Sequence, residues 1–297
     1  MSPARQATDC DAPIGVFDSG IGGLSVLNAL RAALPAEDFV YVADSTHAPY
    51  GERDDAFISA RSIAIAHHLR DAHRVKLLVI ACNTASAVAV QGLRGANPDW
   101  PIVAIEPALK PAARLTRSGQ VGVLATRSTL ASARFRALHR RVTEAQPQVR
   151  FRTVACNGLA TSIERWAISG NDGTACELLD RYLGTLLAPS DDCEPIDSLV
   201  LGCTHYPLLR PQIAQRLGPG TLLIDAGSPV ARQAERLLRA AGLLRTAGDG
   251  AHLPRGRLEL ATTGGIANLH AAARRCLQAP AGTGAAPINF SVAALPI

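Results

Sequence analysis

Short apolar runs alternate with longer stretches rich in Ala, Leu and Arg along most of the chain. The short runs are bounded by small or polar residues, a pattern typical of buried parallel strands, and the longer stretches have helical spacing. The pattern predicts strands over residues 14–17, 39–43, 77–81, 102–105, 121–124, 151–155, 199–201, 222–224, 258–262 and 289–293. It predicts helices over residues 24–34, 56–72, 85–93, 130–141, 175–187, 208–216 and 230–241. This alternation predicts an α/β fold in which parallel sheets carry helices on both faces.

Two prolines, Pro107 and Pro111, interrupt the pattern, which starts again near Gly119. We therefore expect two pseudo-symmetric α/β domains, each a parallel sheet flanked by helices, with the functional site in the cleft between them. The first domain is expected to be discontinuous, with residues 1–108 and 222–297, and the second to hold residues 109–221. Residues 1–12 are expected to be a disordered lead-in, and residues 278–287 a linker to the last strand.

Two cysteines occupy matching positions in the two halves of the chain. Cys82 directly follows the apolar run 77–81, and Cys203 directly follows the run 198–202. Each thiol is therefore expected just past the carboxyl end of a strand, the edge at which open α/β sheets bind ligands. Each also precedes a predicted helix, and a helix N-terminus lowers a thiol pKa and favours the thiolate. Two thiols on opposite sides of one molecule would suit removal of a proton from one face of a carbon and its return to the other.

Further polar groups accompany these motifs. Asp18 follows the first predicted strand, and the glycines after it depart from the dinucleotide fingerprint because Ser25 stands where the third glycine belongs. This turn is expected to bind an anion such as a carboxylate, although a helix-capping role for Asp18 fits the same residues. His205 is suited to polarise the neighbouring thiol or to protonate a leaving group. On their own, residues 49–52 predict a turn. Glu164 lies on a predicted helical stretch, and on its own it is interpreted as a surface carboxylate.

The composition narrows the class of protein. The formal net charge of +5 is scattered rather than clustered, so we expect no nucleic-acid partner. The seven cysteines have irregular spacings that match neither a disulfide framework nor a zinc site, which indicates reduced thiols in the cytoplasm. The sequence shows no secretion signal and no apolar stretch long enough to cross a membrane, so no membrane partner is expected. Neither Lys76 nor Lys110 lies in a glycine-rich phosphate site, so we expect no pyridoxal phosphate, and no other cofactor or metal.

Taken together, these motifs resemble the glutamate racemases of the cofactor-independent aspartate/glutamate racemase superfamily. The similar segments extend from residue 14 to at least residue 277: 14–26 (IGVFDSGIGGLSV), 43–44 (AD), 49–52 (PYGE), 81–85 (ACNTA), 122–126 (GVLAT) with Thr129, 201–208 (LGCTHYPL) and 261–264 (ATTG). One segment departs from the family pattern, in which Cys-Pro and a second proline precede an active-site glutamate. Residues 155–164 have the sequence ACNGLATSIE, so Glu164 aligns with that glutamate without either proline.

The resemblance implies a racemase that interconverts L- and D-glutamate by two thiols on opposite faces of the α-carbon, without a cofactor, and supplies D-glutamate for peptidoglycan. It implies that Cys82 deprotonates D-glutamate with help from Asp18, and that Cys203 deprotonates L-glutamate with help from His205. Glu164 joins this catalytic set, and a homodimer is expected. The residues implied to hold the amino and α-carboxylate groups are Asp18, Ser19, Asn83, Thr84, Thr126, Thr129, Thr204 and His205, with Tyr50 and Gly51 on the side-chain carboxylate.

Four alternatives remain open from the residues alone. Racemisation of aspartate would use the same fold and differ only in the depth of the pocket around Tyr50 and Thr204. A hydrolase with Cys203 as nucleophile and His205 as base leaves Cys82 without a role. A metal site built from Cys82, Cys203, His205 and Asp18 lacks metal-ligand spacing. A basic protein that binds nucleic acid would show salt-dependent binding and no turnover.

Overall fold

The computed structural model describes residues 9–188, 194–246, 255–277 and 288–297. Its strands are β1 (Ile14–Asp18), β2 (Phe39–Ala43), β3 (Leu77–Ile80), β4 (Ile102–Ala104), β5 (Gln120–Ala125), β6 (Arg150–Ala155), β7 (Ser198–Leu201), β8 (Leu222–Ile224), β9 (Leu258–Thr262) and β10 (Ser291–Ala294). Its α-helices are α1 (Leu24–Ala33), α2 (Asp55–Asp71), α3 (Asn83–Ala96), α4 (Leu109–Leu115), α5 (Arg127–Ala131), α6 (Ala133–Ala145), α7 (Leu159–Ser169), α8 (Gly173–Leu187), α9 (Arg210–Leu217), α10 (Gly227–Ala240) and α11 (Ile266–Cys276). None of these helices combines the length and the apolar character needed to cross a bilayer.

The strands form two parallel sheets. The first sheet has the order β10-β9-β2-β1-β3-β4, and the second has the order β6-β5-β7-β8. Every pairing in both sheets is parallel, which follows from the helical crossover between successive strands. The predicted α/β architecture of parallel sheets flanked by helices is therefore confirmed.

Both faces of the central strands β1, β2, β3, β5 and β7 are buried, which explains their nearly continuous apolar runs in the sequence. In β3, Leu77 and Val79 belong to one apolar cluster, and Leu78 and Ile80 belong to the cluster on the other face. Successive side chains of a strand point to opposite faces, so a strand covered on both sides must be apolar at every position. The clusters that hold the residues of the second sheet divide in the same way.

The return of the chain to the first sheet comes later than predicted. Strand β8 (Leu222–Ile224) pairs with β7 in the second sheet, so the boundary expected at residue 222 lies too early. The next element, α10, packs against α1 beside the first sheet. The division of the chain into two domains, with its first boundary at residue 108, stays a prediction.

Several local predictions need correction. An interruption of the strand–helix pattern was expected at Pro111. The short helix α4 instead contains Pro111 in its first turn, where a missing N–H is tolerated. Helix α11 was not predicted. The helix expected over residues 130–141 divides at Ser132, whose side chain caps α6, and residues 206–209 form a 3-10 turn ahead of α9.

The start of the described chain is not the disordered lead-in expected for residues 1–12. Residues 9–12 form a hydrogen-bonded turn from Ala12 N–H to the Asp9 carbonyl oxygen. The ammonium of Lys76 donates to the Cys10 carbonyl oxygen, and this bond attaches the turn to the sheet. Residues 1–8 and the linker predicted over residues 278–287 lie outside the described residues.

Candidate active site

The carboxyl ends of strands from both sheets surround one cavity of about 60 Å³. Strand β3 leads into Cys82, and β7 leads into Cys203 two residues after its end. Both thiols line this cavity, so the two matching motifs of the sequence come together in space. The other predicted substrate-binding residues that line it are Ser19, Tyr50, Gly51, Asn83, Thr84, Thr126, Thr129, Thr204 and His205.

Cys82 caps the N-terminus of α3. Its Sγ accepts a hydrogen bond from the Ala85 N–H at 3.4 Å, and its thiol donates to Ser19 Oγ at 3.6 Å. Burial and the nearby charge of Asp18 raise the pKa of this thiol to about 12, against the lowering effect of the Ala85 and Ser19 hydrogen bonds. The helix N-terminus does lower this pKa through the Ala85 N–H, as predicted, but burial is the larger influence, so the prediction that Cys82 favours the thiolate is wrong.

Cys203 has a different set of neighbours. A 3-10 turn, rather than the start of an α-helix, follows it. Its Sγ lies 3.6 Å from Nδ1 of His205, and Nε2 of the same ring lies 2.7 Å from Oε1 of Glu164. Burial lowers the pKa of His205, but the hydrogen bonds and charges of Cys203 and Glu164 outweigh burial and raise it well above its ordinary value. The imidazole is therefore held in its charged form beside the Cys203 sulfur.

Glu164 connects the two sheets. It lies on α7, beside the second sheet, and its Oε1 also accepts a hydrogen bond at 2.7 Å from the Ile21 N–H, in the turn that follows β1 of the first sheet. Its side chain is only 17% exposed. The interpretation of Glu164 as a surface carboxylate is therefore wrong, and the two missing prolines do not keep it away from His205.

The glycine-rich turn after β1 serves close packing between the sheets. A Cβ atom at Gly20 would overlap the Glu164 carboxylate, and one at Gly22 would lie 2.6 Å from Thr204 Oγ1 and overlap His205. Two backbone N–H groups of the turn bind carboxylates of the protein itself: Asp18 accepts from the Gly20 N–H, and Glu164 accepts from the Ile21 N–H. Binding of a ligand's anionic group by this turn stays a prediction.

Asp18 lies at the junction of the two sheets and is completely buried. Its Oδ2 accepts a hydrogen bond from Thr204 Oγ1 at 3.1 Å, across the cleft. Burial raises the pKa of this carboxyl, and the charge of His205 and the Gly20 hydrogen bond oppose that rise only in part. Its Oδ1 accepts from Ser19 Oγ at 3.4 Å, and Ser19 Oγ in turn accepts from the Cys82 thiol, so the hydrogen bonds of Asp18 extend toward both Cys82 and the Cys203 side.

Comparisons with known proteins agree with this geometry. Residues 14–234 match the sequence profile described as Asp/Glu/Hydantoin racemase. The chain belongs to the Asp/Glu/hydantoin racemase family.

Individual relatives make the same point. The glutamate racemase of Pseudomonas syringae pv. tomato is 49% identical over 235 residues, which cover 79% of this chain and 82% of that protein. The structure of the glutamate racemase isoform RacE1 from Bacillus anthracis matches 96% of this chain and 98% of its own, with a TM-score of 0.78 and 28% identity. The Escherichia coli glutamate racemase in complex with L-glutamate and the activator UDP-MurNAc-Ala matches 95% of this chain and 98% of its own, with a TM-score of 0.75 and 32% identity. The family resemblance expected from the motifs is therefore confirmed.

Some residues of this racemase's cavity were not predicted from the sequence. They are Pro49, Glu52, Arg127, Cys156, Asn157, Gly158, Ala160 and Thr161. Cys156 directly follows β6, so the rule that identified Cys82 and Cys203, a thiol just past a strand end, also applies to it. Its pKa is raised to about 12, chiefly by burial.

Both lysines lie away from the cavity. Lys76 is buried in an ion pair with Glu37, and the ammonium of Lys110 lies 3.7 Å from Glu106. A larger cavity of about 1070 Å³ borders the amino ends of β2 and β9, and none of the predicted site residues lines it. The candidate active site is therefore the small cavity between the sheets.

Proposed function

We propose that this racemase interconverts L- and D-glutamate by two proton transfers, with Cys82 and Cys203 acting on opposite faces of the α-carbon. The observation that carries the proposal is that two thiols from different sheets line one small cavity. The names of the relatives and the L-glutamate bound to the Escherichia coli enzyme support glutamate as the substrate.

The neighbours of each thiol suggest the division of labour. Cys203, beside the charged imidazole of His205, is the base that removes the α-proton of L-glutamate. Cys82 holds its proton firmly and is the acid that delivers a proton to the other face. In the reverse direction the roles exchange, and Cys82 removes the α-proton of D-glutamate.

Polar groups around the cavity are suited to hold a zwitterionic amino acid. Ser19, Asn83, Thr84, Thr126, Thr129 and Thr204 are placed to bind the amino and α-carboxylate groups, while Tyr50 and Gly51 are assigned to the side-chain carboxylate. The α-carbon is a weak acid and a thiolate a modest base, so stabilisation of the developing carbanion must supply much of the catalysis. Fixed hydrogen-bond donors in a site closed to water supply that stabilisation most effectively.

The proposal can be tested by incubating the purified enzyme with L-glutamate in heavy water. We expect optical rotation to fall to zero, and early D-glutamate to carry deuterium at the α-carbon while the remaining L-glutamate stays unlabelled. That asymmetry is the signature of two separate bases, since a single base would return solvent deuterium to both enantiomers. Racemisation of L-aspartate with L-glutamate left unchanged would contradict the proposed substrate.

The cellular setting follows from the same proposal. The described cysteines are free thiols, which suits the reducing cytoplasm. There the enzyme would supply D-glutamate for peptidoglycan. The expected homodimer stays a prediction, and sedimentation equilibrium of the purified chain would test it.

A further inference from the structure

The carboxylate of Asp44, just after β2, is completely buried and accepts five hydrogen bonds. Its Oδ2 accepts from the Tyr50 hydroxyl at 2.6 Å and from Nε of Arg61 at 3.0 Å. Its Oδ1 lies within hydrogen-bond distance of three groups: Nδ1 of His47 at 2.9 Å, Nη2 of Arg61 at 2.8 Å and Oγ1 of Thr263 at 2.8 Å. One side chain therefore joins β2, helix α2, the end of β9 and the loop of residues 45–52.

Asp44 stays ionised in this setting. Burial raises its pKa, but the hydrogen bonds from Arg61, Tyr50, His47 and Thr263 outweigh burial and hold the pKa below its ordinary value. Such charge-assisted hydrogen bonds are shorter and stronger than neutral ones. The network is therefore a rigid anchor beneath the loop of residues 45–52, which carries Tyr50 and Gly51 to the cavity.

The network also limits what Tyr50 can do. A phenol has one hydrogen to donate, and here it is donated to Asp44. Burial and the negative charge of Asp44 raise the pKa of Tyr50, so the phenol keeps that hydrogen. The Tyr50 hydroxyl is therefore a fixed point of the loop and is not available as a donor to an incoming carboxylate.

We propose that Asp44 is a positioning residue that sets the preference for an acidic side chain on the substrate. It acts by fixing the loop of residues 45–52 so that the backbone N–H groups of Tyr50 and Gly51, rather than the Tyr50 hydroxyl, meet the side-chain carboxylate. The inference rests on the proposed glutamate racemase activity. It assigns part of the substrate specificity of that activity to a residue that does not line the cavity.

The test compares two substrates that share the α-carbon chemistry and differ in the side chain. Glutamate has the side-chain carboxylate, and β-chloro-L-alanine lacks it. When a thiolate takes the α-proton of β-chloro-L-alanine, the C–H electron pair forms a double bond to the β-carbon and chloride leaves. The 2-aminoacrylate released is hydrolysed to pyruvate and ammonium, and pyruvate is readily measured.

We expect Asp44→Asn to lower kcat/KM for glutamate at least about tenfold, mainly through KM, the effect of one lost charge-assisted hydrogen bond. Elimination from β-chloro-L-alanine should stay within about twofold of the wild type. Tyr50→Phe, which removes only the hydroxyl from the network, should shift the ratio of the two activities in the same direction by a smaller factor. The matched control is Asp197→Asn, which changes a carboxylate that accepts hydrogen bonds from Thr116 and Ser118 away from the cavity.

A parallel fall of both activities, or an unchanged ratio in Asp44→Asn and Tyr50→Phe, would overturn the inference and leave Asp44 a purely structural residue. For each variant, both activities are expressed as fractions of the wild-type activity. Failure of the wild-type enzyme to racemise glutamate would instead contradict the proposed function itself, and with it this inference, before any variant is made.

Discussion

Two of the three thiols that line the cavity, Cys82 and Cys203, follow equivalent strands of the two sheets, yet their surroundings differ. Cys82 lies among a backbone N–H, a serine hydroxyl and the charge of a buried aspartate. Cys203 lies against an imidazole that is itself paired with a carboxylate. The first environment favours the neutral thiol, and the second offers a positive charge to a thiolate.

The comparison teaches how a symmetric reaction can start from an asymmetric site. A negative charge on Cys203 also raises the pKa of Cys82, so ionisation of one thiol opposes ionisation of the other. One thiolate and one thiol are what a two-base racemisation requires at the start of each turnover. In the proposed mechanism each turnover exchanges the protonation states of the two thiols, so the enzyme must restore them before it accepts the same isomer again.

The largest expected effect is the loss of either thiol. Cys82→Ser and Cys203→Ser should each lower racemisation of glutamate at least about 1000-fold, because a hydroxyl is a far poorer source of an anionic base than a thiol. Optical rotation of L-glutamate measures this directly. Cys176→Ser, which changes a thiol that does not line the cavity, should keep nearly full activity.

A substitution at the junction of the sheets should affect both thiols together. In Gly22→Ala the new methyl group would meet Thr204 and His205, so the two halves of the site could not approach as closely. A displacement of about 1 Å costs on the order of 100-fold in rate, and we expect losses of that size for both enantiomers. Gly92→Ala is the control, because a Cβ there meets no atom within 4 Å. A Gly22→Ala enzyme of normal activity would show that this contact is not needed.

Removal of the His205 imidazole should affect the reaction at Cys203 more than the reaction at Cys82. The equilibrium constant of a racemisation is one, so kcat/KM for the two directions must remain equal in any variant. Elimination from β-chloroalanine is free of that restriction. His205→Asn should lower elimination from the L-isomer by about 10- to 100-fold and from the D-isomer by less than about threefold. Equal losses for both isomers would mean that His205 does not serve Cys203 alone.

The smallest effect should appear as a pH shift. Glu164→Gln keeps an acceptor for the Ile21 N–H but removes the negative charge that helps to raise the pKa of His205. Activity that needs charged His205 is present below its pKa and lost as the pH rises through it. The alkaline limb of elimination from β-chloro-L-alanine should therefore move to lower pH, while the profile for the D-isomer keeps its position. An unmoved limb would separate Glu164 from the titration of His205.

The sequence predicted best what depends on local pattern. Continuous apolar runs identified the strands because both sheet faces are covered, and the strand-end rule brought Cys82 and Cys203 to one cavity. Helix α4 was missed because a proline in the first turn of a helix cannot be told, from the sequence, from a proline in a loop between two elements.

The predictions that failed concern residues whose surroundings depend on contacts between distant segments of the chain. Glu164 meets Ile21 across 143 positions, and Asp44 meets Thr263 across 219. No periodicity records such contacts, so the interpretation of Glu164 as a surface residue could be corrected only by the fold. The raised pKa of Cys82 also depends on the fold, since burial outweighs the local effect of its helix.

The central claim is that Cys82 and Cys203 serve opposite faces of the substrate, and elimination from the two enantiomers of β-chloroalanine tests it most directly. The rates of pyruvate release by Cys82→Ser and Cys203→Ser form a set of four measurements. We expect Cys82→Ser to retain elimination from the L-isomer, through Cys203, and Cys203→Ser to retain elimination from the D-isomer, through Cys82. Loss of both eliminations in both variants, or one cysteine required for both isomers, would contradict the account.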